Sequence, residues 1–260
     1  MRRAAITAVA LACLTACVGA RAAAEQLVSS LSSQRVLITP SFVGTELVLF
    51  GIVERDAGSP QRRSGYDIVA TVSGPRETIV VRRKERMVGI WVNAESRTFV
   101  EVPAYLAVLS TRPPEQIASL DLLRRLQIGL RRTLLPQQIG PDTADVVRDD
   151  PFRAAFLRLK QSRDLYVEAP DGVIFRTPVL YRANIPLPAA APVGSYEVDL
   201  KLFADGALIG RGRETFEIAK FGFEQFVAAS AVNNGLLYGL ATAALAVLTG
   251  WVASVVFRRD

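Results

Sequence analysis

Residues 235–257 read GLLYGLATAALAVLTGWVASVVF, 23 positions without a charged side chain, and Arg258, Arg259 and Asp260 follow directly. As an α-helix this run is about 34 Å long, sufficient to cross a hydrocarbon core of about 30 Å with some tilt. Tyr238 and Trp251 stand near its two ends, where amphipathic rings settle at the headgroups. The arginine pair assigns residues 258–260 to the cytoplasmic side and the body of the chain to the other. The expectation is a single-pass protein of a bacterial inner membrane, with its body in the periplasm.

The opposite end agrees. Met1-Arg2-Arg3, the apolar stretch Ala4 to Val18 and the small residues Ala20 to Ala24 have the order of a secretory signal peptide. Residues 1–24 are expected to be removed, leaving a chain that starts near Glu25. Leu14-Thr15-Ala16-Cys17 also has the shape of a lipobox, so lipidation at Cys17 stands as an alternative to cleavage near Ala24. Under simple cleavage both cysteines of the chain, Cys13 and Cys17, are lost, and with them disulfide and thiol chemistry.

Composition narrows the chemistry further. The formal charge is +6, but residues 1–24 hold three arginines and no acid, and residues 258–260 add one more positive charge. The body is therefore close to +2, with no concentrated basic footprint of a nucleic-acid binder. The sequence has no histidine, which removes the usual zinc sites, Ser-His-Asp triads and Cys-His nucleophiles. The four lysines, at 84, 160, 201 and 220, include none in a Ser-x-x-Lys arrangement. No catalytic residue, cofactor or metal site is expected, and the protein is not read as an enzyme.

Between the two ends the chain reads as strands around a helical insertion. In residues 25–110, Arg35 to Thr39, Thr45 to Val53 (TELVLFGIV), Tyr66 to Ser73, Glu77 to Arg83, Met87 to Asn93, Thr98 to Val102 and Tyr105 to Ser110 are strand candidates. Turn residues recur every 8–12 positions or so, the rhythm of a β-sandwich. Thr45 to Val53 is apolar on both faces, as a buried central strand would be, and Gly74-Pro75 reads as a hairpin turn. A polar loop spans Gly58 to Gly65. Residues 111–163 have a different texture. Pro113-Pro114-Glu115 opens a helix over Gln116 to Leu135, Pro136 stops it, Gly140-Pro141-Asp142 connects, and Asp150-Pro151 caps a second helix through Ser162. In residues 164–220, Asp171-Gly172 and Asp205-Gly206 are hairpin dipeptides. Tyr196, Val198, Leu200 and Leu202 alternate with charged residues, and Arg211 to Ala219 returns. Residues 164–220 are either a second sandwich-like unit or strands completing the first. Phe221, Phe223 and Phe226 in the juxtamembrane segment 221–234 are expected at the outer headgroups. The fold class is mainly β: immunoglobulin-like β-sandwich regions with a helical insertion, plus one transmembrane helix.

The chain resembles an alphaproteobacterial family of transmembrane proteins of about this length and unassigned function. The matching stretches are Leu31-Ser32 through Phe50-Gly51, Val81-Arg82-Arg83-Lys84-Glu85-Arg86 through Trp91-Val92-Asn93, Phe99 through Ser110, and the terminal apolar run. The resemblance implies a signal peptide, a periplasmic body and one membrane pass, and it brings no catalytic residues. Members are often encoded beside transporters similar to the sulfite and sulfonate exporters, so it also implies such an inner-membrane transporter as partner.

Four residue groups are candidate sites. Arg82, Arg83, Lys84 and Arg86 form a basic run that suits anionic lipid or a partner's acidic face, and equally an edge strand guarded by charge. Asp142, Asp145, Asp149 and Asp150 cluster, but lack the spacing and central glycine of a calcium loop, so capping and solvation explain them. Arg124, Arg125, Arg131 and Arg132 repeat at seven residues and would share one helix face, solvated or laid on a membrane. In the apolar run, Gly235 and Gly239, then Ala246, Gly250 and Ser254, form small-residue stripes that admit a partner helix. The expected function is a membrane-anchored periplasmic accessory protein for an inner-membrane partner. The alternative is a tethered binding domain for a small anion, using arginine-rich surfaces to pair with its oxygens.

Overall fold

The computed structural model describes residues 25–39, 41–55, 65–139, 142–145, 150–220 and 231–256. The expected signal peptide, residues 56–64 (which include the polar loop up to Ser64), Gly140-Pro141, Asp149, the three phenylalanines of the juxtamembrane segment and residues 257–260 lie outside that description.

The described residues are mainly β, in three sheets. A four-stranded sheet has the order β1 (Gln26–Leu31), β3 (Gly44–Glu54), β12 (Leu180–Pro188), β11 (Val173–Phe175). A six-stranded sheet has the order β10 (Tyr166–Pro170), β7 (Leu106–Ser110), β4 (Asp67–Ser73), β13 (Gly194–Ala204), β14 (Ala207–Lys220), β2 (Arg35–Ile38). The third is β5 (Arg76–Met87), β6 (Ile90–Pro103), β8 (Pro136–Ile139), β9 (Asp142–Asp145). Helices are α1 (Pro114–Ile117), α2 (Leu120–Arg125), α3 (Pro151–Gln161) and α4 (Gly235–Val256).

Strands from either side of the insertion share both larger sheets. β12 pairs with β3 and β13 with β4, so residues 164–220 complete the sheets begun by residues 26–110. Each of these sheets buries one side in a common core. Leu47, Leu49, Val53, Tyr181, Ala183, Ile185 and Leu187 come from the first, and Ile68, Ala70, Val72, Val198, Leu200, Leu202 and Phe216 from the second. The alternation read at Tyr196 to Leu202 is present, with all four apolar residues fully buried. Tyr105 and Tyr196 add polar ties to the apolar packing, their hydroxyls donating to the carbonyls of Pro186 and Pro192.

Several sequence expectations are corrected. Thr45 to Val53 is buried on one face only, and Phe50 and Ile52 stand exposed on the other. Gly74-Pro75 does not close a hairpin. The Gly74 amide donates to the Tyr105 carbonyl at 2.9 Å and the Ala104 amide to the Pro75 carbonyl at 2.7 Å. The segment is thereby held beside 104–105, and β5 leaves for another sheet. Asp171-Gly172 likewise carries the chain between sheets, since β10 pairs with β7 and β11 with β12. Asp205-Gly206 does close a hairpin, between β13 and β14. Met87 to Asn93 contains a turn at Val88-Gly89 instead of one strand.

The helix expected over Gln116 to Leu135 is broken into α1 and α2. Ser119 has extended backbone and its hydroxyl accepts from the Leu122 amide, which makes it an N-cap. Gln127 (φ 54°) and Gly129 (φ 101°) then turn the chain out of helical geometry. Leu123, Ile128, Leu130 and Leu135 are still buried, so the apolar pattern marks burial without marking a helix. Pro136 does not merely stop the segment; it opens β8. The second helix forms as expected, with Pro151 in its first turn and Asp150 as N-cap.

Candidate functional site

An open groove of about 750 Å³ crosses the outer side of the six-stranded sheet. Thr71 and Ser73 of β4, Glu197, Asp199 and Lys201 of β13 and Arg211 of β14 lie on one side of it, with Arg125 to Gln127 and Thr133 to Leu134 opposite. Lys201 is buried and donates to the Asp199 carboxylate. Arg213 pairs with Glu197 at 2.7 Å. The two carboxylates are thus matched, while Arg76, Arg125 and Arg211 line the groove without an ion-pair partner among the described residues, and Thr71 and Ser73 add hydroxyls to it.

The buried titratable groups have structural partners. Lys160 donates to Glu77 at 2.5 Å and to the Ala104 carbonyl at 3.0 Å. Its ammonium lies 5.7 Å from the ring centres of Phe156 and Tyr166, clamping α3 to the start of β5. Tyr166 donates to the Pro103 carbonyl at 2.7 Å. Burial pushes the pKa values of the Tyr105, Tyr166 and Tyr196 phenols far above their usual range, and that of Tyr181 up to about 12. These phenols stay protonated through physiological pH and are not placed for acid–base work.

The predicted arginine face is not formed, because Arg131 and Arg132 lie beyond the turn at Gly129. Arg124 reaches Asp121 at 3.6 Å, Arg125 lines the groove, and Arg132 donates to Glu115 at 2.7 Å. That guanidinium holds the Glu115 carboxyl below the usual carboxylate range. Of the acidic cluster, Asp149 lies outside the described residues. Asp142 and Asp145 belong to β9, while Asp150 caps α3, accepting from the Arg153 amide at 3.0 Å and from Gln137 Nε2 at 2.7 Å. Among the described residues no three His, Cys, Asp or Glu side chains converge on a cation site. Asp150→Ala should lower unfolding free energy by about 1–2 kcal/mol, measured by urea denaturation. A change below about 0.3 kcal/mol would show that the cap carries little of the stability of α3.

The basic run maps onto an arm. β5 and β6 are 12 and 14 residues long and pair antiparallel out to Met87 and Ile90. Arg82, Arg83, Lys84 and Arg86 are all exposed along β5. Arg83 is engaged by Glu85 at 2.5 Å and Glu95 at 3.5 Å. The apex carries a feature that sequence reasoning missed: Met87, Val88, Ile90 and Trp91 are 57%, 102%, 65% and 69% exposed. The only signal in the sequence was a short apolar run, which reads equally well as buried strand.

The small-residue stripe lies on α4, a helix of 22 residues. Around Gly235, Gly239 and Gly250 nothing stands within 4 Å of where a Cβ would be. Leu236, Leu240, Leu245, Val247, Leu248 and Trp251 are exposed. Thr242 and Thr249 turn their hydroxyls back onto carbonyls of the preceding turn at 2.9–3.0 Å. Over the described residues alone no helix is long and apolar enough to cross a membrane. The side chains at 237, 255 and 256, all inside α4, lie outside that description.

Fold and surfaces together define a mainly β body with an outward-directed arm and an apolar helix that the described chain leaves uncovered. Residues 26–259 match the family described as "Putative transmembrane protein (Alph_Pro_TM)", and the chain belongs to that family. No curated protein and no solved structure matches it.

Proposed function

We propose that this protein is a periplasmic accessory or interaction subunit, exported by its signal peptide and held in the inner membrane by α4. The observation that carries the reading is α4 itself. An uncharged helix whose large apolar side chains face outward needs an apolar surrounding that its own fold does not supply. The back-bonded threonines suit the same surrounding, because hydrocarbon offers no partner to a free hydroxyl. A 22-residue helix is about 33 Å long, matched to the hydrocarbon thickness. In this reading the β layers are an immunoglobulin-like sandwich standing on the periplasmic face.

The partner is an inner-membrane protein, and the resemblance of the sequence points to a transporter of the sulfite and sulfonate exporter kind. Gly235, Gly239, Ala246, Gly250 and Ser254 would let a partner helix approach closely. Gly239→Leu with Gly250→Leu should reduce the partner recovered with the tagged full-length protein in mild detergent severalfold, without changing the amount in the membrane. Unchanged recovery would remove the stripe from the contact. The small-anion alternative would use the groove, where Glu197 and Asp199 are engaged by Arg213 and Lys201 while Arg125 and Arg211 have no ion-pair partner among the described residues.

A further inference from the structure

We infer that the apex of the β5–β6 arm inserts into the headgroup layer of a bilayer carrying anionic lipid, giving the body a second hold on the membrane besides α4. This rests on the reading of α4 as the membrane anchor. The first observation is Val88. It occupies a two-residue turn in which Val88 (φ 49°) and Gly89 (φ 84°) both have positive φ. Asn, Asp or Gly suits the first of these positions, and a β-branched residue is strained there. Val88 is also fully exposed, so its apolar side chain gains nothing from folding. A surface outside the chain accounts for it.

The second observation is the order of chemistry along the arm. Met87 pairs with Ile90 and Arg86 with Trp91 across the ribbon, so apolar groups surround the end instead of lining one face. Such an end suits penetration along its axis better than a groove that grips one side. Directly behind it Arg82, Lys84 and Arg86 are exposed, and among the described residues none has an ion-pair partner. Apolar apex followed by cationic collar repeats the order of a bilayer met from outside in reverse, acyl boundary beneath phosphate. Trp91 is the side chain suited to the boundary between them.

The third observation is where the arm starts. Arg76 and Pro103 pair at its root. Pro75, one residue earlier, lies 3.2 Å from where a Cβ on Gly194 would stand. Gly194 is opposite Ile218 of β14, and β14 ends at Lys220. The arm therefore springs from the end of the sheet at which the chain departs toward α4.

The test uses the full-length protein with Trp251→Phe, which leaves Trp91 as its only tryptophan. It is reconstituted into phosphatidylcholine vesicles with and without phosphatidylglycerol, some carrying acyl chains brominated near the headgroup. The expected result is at least twofold quenching of Trp91 in brominated vesicles containing phosphatidylglycerol and less in phosphatidylcholine alone. Val88→Asp with Ile90→Asp, at exposed positions that leave the fold intact, should abolish the quenching while the protein still floats with the vesicles. Floating protein with unquenched Trp91 would overturn the insertion, leave the anchor standing and assign the apex to a protein partner. Quenching that survives the two aspartates would also overturn it. Protein that fails to float would overturn the anchor and the insertion together.

Discussion

A chain ending at Lys220 is expected to leave the membrane fraction completely on alkaline carbonate extraction, while the full-length chain stays behind. Among the described residues every strand pairing of the three sheets lies at or before Lys220, so the shortened body keeps that hydrogen-bonded framework. What it loses is α4, whose apolar side chains contribute nothing to the described core. Transfer of apolar area from water is worth roughly 25 cal/mol per Å². On the reading of α4 as the anchor, a helix of this length would make attachment effectively irreversible, beyond what one lipid chain would provide. Any attachment of the shortened chain through the arm is electrostatic at its base and should weaken with salt. The measurement is the distribution of the protein between supernatant and pellet, before and after a high-salt wash. A shortened chain that resists carbonate would show that something other than α4 spans the bilayer.

Gly51→Ala is the second large effect, and it acts inside the body. Gly51 lies in β3 opposite Ser29 of β1 and Tyr181 of β12. A Cβ built there would stand 2.2 Å from the Val28 carbonyl oxygen and 2.5 Å from the Tyr181 hydroxyl. The first atom is backbone and the second belongs to a fully buried ring, so neither yields without moving β1 or β12. The expected cost is about 3 kcal/mol or more, a fall in Tm of roughly 6–12 °C for a domain of this size. Combining it with Tyr181→Phe removes only the second contact, so recovery should be partial. Gly65→Ala is the control, because nothing lies within 4 Å of its would-be Cβ, and it should change stability by less than about 0.5 kcal/mol. Thermal denaturation followed by circular dichroism separates the three. Equal Tm for Gly51→Ala and the parent would mean that β1 and β12 stand further from β3 than the 2.2 and 2.5 Å approaches imply.

The sequence by itself determined the features set by neighbours a few residues apart. The uncharged run of α4, the alternation at Tyr196 to Leu202, the Asp205-Gly206 hairpin and the Asp150 cap each follow from local spacing and local hydrogen bonding. The basic run at Arg82 to Arg86 was legible too, as a surface. Tertiary structure decided what depends on distant partners. Gly74-Pro75 and Asp171-Gly172 have turn chemistry, but whether a turn closes a hairpin is set by the strands its flanks find, and these found 104–105, β7 and β12. The apolar spacing from Gln116 to Leu135 marked burial at Leu123, Ile128, Leu130 and Leu135 but not at Leu120 or Leu134, while Ser119 and Gly129 broke the helix it implied. The apex was the least legible part. Met87, Val88, Ile90 and Trp91 have the composition of a buried strand, and only the extension of the β5–β6 ribbon past its neighbours leaves them in the open. Exposure is a property of where a sheet ends, and no local period encodes that.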